Sequence, residues 1–162
     1  MREDWLQLPT RSRAAGQVLA QALRGWAPES SSARSAAGLL EAGPYLGRHR
    51  ALVFLLSDFH LPLDMLQKVL DRLAGHEVVP VVLWDAQEFD LGERNGLAEV
   101  LDAESGRRRL VWWRPLLRER WQRALADRRA ALLQVFARER LKPLFIEQGF
   151  DADAVTRHFH AG

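Results

Sequence analysis

Cysteine is absent from the 162 residues, so disulfides, zinc–thiolate centres and thiol chemistry are excluded. Lysine is scarce: Lys68 and Lys142 are the only two, and the other 21 basic side chains are arginines. With the heavy use of alanine, this bias reads as the codon composition of a GC-rich genome, and no function is drawn from it. No apolar run approaches the roughly 18–20 residues that cross a bilayer. The longest strictly apolar run is Ala51–Leu56. The opening Met-Arg-Glu-Asp-Trp has no signal-peptide core, so a cytoplasmic protein without membrane insertion is the expectation. Neither the P-loop nor the dinucleotide-binding glycine fingerprint occurs, and no Gly-x-Ser-x-Gly elbow is present. Among His49, His60, His76, His158 and His160 only the last two are close in sequence, and side chains two apart on a helix diverge.

What is present suits one folded domain over residues 1–162. Apolar residues make up 48% of the chain, enough for a real core. The net charge of +2 hides an uneven distribution. Residues 107–142 hold 12 Lys/Arg against 3 Asp/Glu, giving +9, whereas residues 1–106 hold 10 against 15, giving −5. An acidic body is thus followed by a basic segment.

Hydrophobic periodicity orders the chain into elements. A first helix is predicted over about 13–24, ended by Gly25 and Pro28, and a second over about 33–42, stopped by Gly43-Pro44. Arg50–Leu56 is apolar on both faces, the pattern of a strand in a parallel sheet covered on both sides. A loop, Ser57-Asp58-Phe59-His60, leads to an amphipathic helix over about 62–74, with Leu63, Leu66, Leu70 and Leu73 on one stripe. Glu77–Trp84 is a second apolar strand, in which Pro80 lacks a ladder donor and suggests an irregular or edge position. Strand, helix, strand is a βαβ unit. Leu97–Leu101 and Arg109–Trp113 read as a β-hairpin about Asp102-Ala-Glu104-Ser-Gly106. A long Arg-rich helix follows over 114–140, its buried stripe running through Leu117, Trp121, Ala124, Leu125, Leu132, Val135 and Phe136. A short strand, Leu144–Ile146, and a terminal helix capped by Asp151 complete the chain. The fold class is α/β: an open, mostly parallel, partial Rossmann-like sheet flanked by helices, with a hairpin and an Arg-rich helix.

Three stretches, in order, carry a resemblance: Leu52-Val-Phe-Leu-Leu-Ser-Asp58-Phe59; Trp84-Asp85-Ala-Gln-Glu88-Phe-Asp-Leu91 followed by Gly96; and Asp102-Ala-Glu104-Ser-Gly106. On these the chain resembles the family known as domain of unknown function 58, whose fold is like the von Willebrand factor A domain. The resemblance implies a single domain truncated to its C-terminal half, without the N-terminal strands that carry Asp-x-Ser-x-Ser. It also implies a degenerate metal-ion-dependent adhesion site at the carboxyl end of the sheet. Asp58 matches that site's third-loop carboxylate and would be a weak or vestigial metal ligand. The second-loop hydroxyl would come from Ser31, Ser32 or Ser35, where the family has a threonine. Mg²⁺ requires about six oxygens in octahedral geometry, so no cofactor is expected, and weak Mg²⁺ binding only if a missing half supplies the rest.

The function implied by the resemblance is that of a non-enzymatic interaction module. Its partners would be a MoxR-type AAA+ ATPase and a client protein undergoing assembly or maturation. The contact region would be Ser57, Asp58 and Phe59, with Ser31 and Ser32 beside them and Asp85 and Glu88 behind. Other readings compete. Asp58 could cap the helix that starts near Pro62. Asp58 and Asp85 at adjacent strand ends could serve a small Mg²⁺-dependent phosphoryl-transfer or hydrolytic enzyme. The Arg-rich helix could bind nucleic acid, although a solvated face explains it and nucleic acid is not the expected partner. An unpaired edge on Ala51–Leu56 would recruit other chains, so self-association is expected.

Overall fold

The structure, a computed structural model, describes residues 14–25, 36–47, 49–84, 95–101 and 108–160. The chain divides into two compact units, Met1–Gly38 and Leu39–Gly162. The first holds helix α1 (Ala15–Gly25). A 3-10 turn, Ala36–Glu41, and a four-residue helix α2 (Gly43–Leu46) stand where one helix over 33–42 was predicted. Gly43-Pro44, read as a stop, instead opens α2: proline is tolerated in a first helical turn because its missing N–H has no partner there.

The second unit is built on a three-stranded parallel sheet in the order β1 (Leu52–Ser57), β2 (Glu77–Leu83), β5 (Leu144–Ile146). Helix α3 (Leu63–Leu73) joins β1 to β2, the predicted βαβ unit. The register runs from Leu52 opposite Glu77 to Ser57 opposite Val82. β3 (Gly96–Leu101) and β4 (Arg108–Trp113) form a separate antiparallel hairpin with Glu99 opposite Leu110. Its turn residues, Asp102 and Glu104 among them, lie outside the described residues. Helix α4 (Pro115–Arg138), strand β5 and helix α5 (Ala152–His160) follow. The α/β class is therefore as expected, with a parallel sheet, flanking helices and a hairpin.

Pro80 corrects one expectation. It is buried in β2, which lies between the other two strands and is not an edge. The Glu77 N–H donates to Ala51 O on the β1 side, and the Trp84 N–H donates to Ile146 O on the β5 side. By strand alternation the Pro80 nitrogen faces β5, whose pairing starts only at Val81–Leu144. A donor is missing where no acceptor strand yet runs, so the proline costs the ladder nothing.

Both faces of the sheet carry apolar side chains, but they are covered unequally. Leu55, Val78 and Val82 pack with Leu66, Val69, Leu70 and Leu73 of α3 and with Leu132, Val135 and Phe136 of α4. The opposite face has a small cluster, Val79, Val81 and Leu144, with Val155 of α5 against it. On that face Leu52, Phe54 and Leu56 of β1 remain exposed. The doubly apolar pattern of β1 thus marks a strand with one face in the core and the other half-exposed, where Phe54 meets Phe159 of α5 edge-on at 6.0 Å.

Helix α4 has 24 residues, about 36 Å at 1.5 Å per residue. Only its C-terminal end is fully buried, through Leu132, Val135 and Phe136. Trp121 and Ala124, placed by periodicity in the buried stripe, are exposed, because the core ends before the helix does. The helix closes in a Schellman turn: Arg140 takes φ 56° and the Leu141 N–H donates to Phe136 O at 2.8 Å, satisfying an end carbonyl.

Phe136 is fully buried and meets Phe59 edge to face at 5.3 Å between centroids. Phe136→Ala leaves a cavity between α4 and the β1–α3 loop and should cost about 3–5 kcal/mol. Urea unfolding should show a lower midpoint at unchanged slope.

Candidate functional site

In an open parallel sheet, ligands meet the chain beyond the carboxyl ends of the strands. Ser57 ends β1, and Asp58-Phe59-His60 turns the chain toward α3. The sequence asks two opposed things of this loop: a charged residue that stays in water and a phenylalanine beside it that does not.

Phe59 resolves the conflict by adopting φ 53°, a left-handed conformation that is rare for a bulky side chain and costs roughly 1–2 kcal/mol. The turn drives its ring to 1% exposure while Asp58 stays exposed. Burying the ring gains about 1.5–3 kcal/mol, so the strained backbone is offset by its own side chain.

Hydrogen bonds fix the loop from both sides. The Phe59 N–H donates to Ser57 Oγ at 2.9 Å. The His60 N–H donates to Asp58 Oδ1 at 3.1 Å, and Ser57 Oγ lies 3.4 Å from that oxygen. From β2, the indole N–H of Trp84 donates to the Asp58 carbonyl at 2.7 Å. From α4, Arg128 Nη2 donates to the carbonyls of both Phe59 and Leu61. Partial burial pushes the Arg128 guanidinium below its ordinary pKa, and the negative charge of Asp58 opposes that shift.

A layer of rings supports these bonds. His60 stacks on Trp84 with centroids 6.3 Å apart and planes 17° apart. Phe145 of β5 meets Trp84 edge-on at 5.8 Å, and the Arg129 guanidinium lies 4.2 Å above the Phe145 ring. Arg129 also pairs with Glu147. The two adjacent arginines of α4 therefore brace the site differently, Arg128 on loop carbonyls and Arg129 through the aromatic layer.

Ser57, Asp58 and Phe59 follow one another at the end of β1 and play different roles: a hydroxyl acceptor, an exposed carboxylate and a buried anchor. Asp58 does not cap the following helix. The N-cap of α3 is Pro62, without a side-chain hydrogen bond, because the Asp58 carboxylate is spent on the His60 N–H three residues earlier in the turn. Ser31, Ser32, Ser35, Asp85 and Glu88 lie outside the described residues. Trp84 and Arg128 were not singled out from sequence. Trp84 could have been suspected as a polar-tipped ring ending a buried strand. Arg128 carries no such signal among its neighbouring arginines.

Among the described residues the metal implied by the resemblance meets too few ligands. Ser57 and Asp58 offer one hydroxyl and one carboxylate, and both already accept N–H donors from the loop. Among the described residues no group of three or more His, Cys, Asp or Glu stands together as a ligand set. They do not form the octahedral oxygen shell that Mg²⁺ demands.

Arg128→Ala should remove two charge-assisted bonds and leave both carbonyls poorly satisfied, at a cost of about 1.5–3 kcal/mol. Hydrogen exchange of the Phe59 and His60 amides should accelerate more than that of the β2 amides. Equal acceleration everywhere would show that the arginine supports the whole fold and not this loop.

Comparisons with known proteins agree with the order of motifs. Residues 3–131 match the family described as Protein of unknown function DUF58. The chain is 41% identical over 101 residues to an uncharacterized protein in the moxR 3′ region of Paracoccus denitrificans, covering 62% of this chain and 96% of that protein. No solved structure matches. The chain belongs to the DUF58 family.

Proposed function

We propose that the protein is a non-enzymatic interaction module that presents Asp58 to a partner protein. The reading rests on one observation: an exposed carboxylate at the carboxyl end of a parallel sheet sits on a loop pinned by Phe59, Trp84, Arg128 and Ser57. A binding group held on a rigid support keeps its geometry and loses little entropy on association.

The partner we assign is a MoxR-type AAA+ ATPase, acting with the module on a client protein. The location of the Paracoccus relative, in the moxR 3′ region, and the resemblance to von Willebrand factor A-like adaptors support this choice. Among the described residues no helix is long and apolar enough to cross a membrane. Helix α4 keeps many arginines exposed, but they are spread along a solvated face, which favours no nucleic-acid reading over partner binding.

Calorimetric titration of the chain against a MoxR-type ATPase tests the proposal. Asp58→Ala should weaken binding by about tenfold or more, the effect of losing a charge-assisted contact, while the melting temperature moves little. Unchanged binding by the variant would refute the site. Mg²⁺ at millimolar concentration should leave the melting temperature of the chain unchanged, because a ligand that hardly binds the native state hardly stabilises it. A micromolar dissociation constant for Mg²⁺ would instead favour a working metal site.

A further inference from the structure

The edge of β1 away from β2 has a self-complementary order of residues. Among the described residues β1 pairs only with β2. The Ala51 carbonyl accepts the Glu77 N–H and the Ala51 N–H reaches His76 Nδ1. The backbone groups of odd-numbered residues therefore face β2, and those of Leu52, Phe54 and Leu56 face outward. The side chains of the same three residues stand on the face that α5 covers only in part, where Phe159 meets Phe54 edge-on at 6.0 Å, and they are 53%, 48% and 59% exposed. One position of the same parity beyond each end stand Arg50 and Asp58, just outside the strand. The Asp58 carbonyl has already turned to the Trp84 indole, so these two extend the order of side chains and not the backbone ladder, and the order is Arg50, Leu52, Phe54, Leu56, Asp58.

Read antiparallel against itself about Phe54, this series matches at every position: Phe54 meets Phe54, Leu52 meets Leu56, and Arg50 meets Asp58. We infer that β1 pairs with β1 of a second copy of this chain in that register, giving a closed two-fold dimer with a continuous six-stranded sheet.

The geometry selects this register over its neighbours. Antiparallel ladders pair outward-facing residues with outward-facing residues, which fixes the parity. The register about Phe54 forms about six inter-chain hydrogen bonds through three hydrogen-bonded pairs. Shifting the centre to Val53 sets Arg50 opposite Leu56, and shifting it to Leu55 sets Asp58 opposite Leu52; either slip loses both charge pairs and places a charge against a leucine. Opposite charges directly across a ladder stabilise it and like charges weaken it. Arg50 is available for the exchange, since its pair with Glu77 is 3.5 Å long and solvent-exposed on both sides, and such pairs contribute little. A two-fold contact also closes, so it satisfies the β1 edge of each copy without building a fibre. The inference does not depend on the ATPase reading, but the two share Asp58, so self-association and partner binding compete for one carboxylate.

Sedimentation velocity on the 162-residue chain should show a reversible monomer–dimer equilibrium and no larger species. Arg50→Asp and Asp58→Arg should each raise the dimer dissociation constant by about tenfold, since each creates two like-charge pairs across the axis. The double variant should recover most of the loss. The chain has no cysteine, so Phe54→Cys gives a single thiol in a hydrogen-bonded pair with Cα atoms about 5.5 Å apart, within disulfide reach. Oxidation should trap that variant as a covalent dimer, whereas Leu83→Cys, exposed but on the central strand, should stay monomeric on a denaturing gel. The inference fails if the chain remains monomeric into the high micromolar range or forms open polymers. It fails equally if the charge-reversed double variant is no better than the singles, or if both cysteine variants cross-link alike.

Discussion

The candidate site depends on where the Phe59 ring goes. Once that ring is between β1 and α4, against Phe136, the chain at Phe59 must turn left-handed, and Asp58 is forced outward. The carbonyls exposed by the turn then need donors, and Arg128 and Trp84 supply them from two other elements. A single buried aromatic side chain thus converts a flexible strand-to-helix connection into a fixed platform, with the core as its foundation. Local strain of this kind persists only where surrounding contacts over-determine it, and here the contacts come from β1, β2 and α4 together.

The same arrangement links stability to presentation. Phe59, Trp84 and Phe136 belong to one buried cluster, so the loop cannot be loosened without disturbing the sheet–helix interface. The Asp58 carbonyl is tied to Trp84, whereas its carboxylate takes part only through the surface turn and its charge on Arg128. The division leaves the charge free to change identity at small structural cost while its neighbours cannot, which is the pattern of a recognition residue on a structural scaffold.

Much of the second unit was legible because its signals are local and periodic. The apolar runs of β1 and β2, the stripe Leu63–Leu66–Leu70–Leu73, and the hairpin flanking Asp102–Gly106 each state their element within a dozen residues. The position of Asp58, just past the end of an apolar strand, was legible. The parts that were not legible depend on long-range partners. Arg128 reaches the loop across 69 residues, and nothing in the run Asp127-Arg128-Arg129 distinguishes the guanidinium that holds the loop from its neighbour. Pro80 argued against a central strand because sequence does not reveal that β5 pairs with only three residues of β2. The left-handed turn was hidden as well: glycine or asparagine would have announced it, and phenylalanine does not. Trp121 and Ala124 follow the helical period of α4 but lie beyond the core, a reminder that periodicity predicts a face and not the extent of what covers it.

The central claim is that the Ser57–His60 loop is the face this module offers to a partner. Amide chemical-shift mapping of the isotopically labelled chain during titration with the MoxR-type ATPase measures that face directly. The account predicts that the largest perturbations fall on Ser57, Asp58, Phe59 and His60, with smaller ones at Trp84 and Arg128. Perturbations confined to the exposed N-terminal half of α4 or to the β3–β4 hairpin, with the loop unmoved, would contradict it.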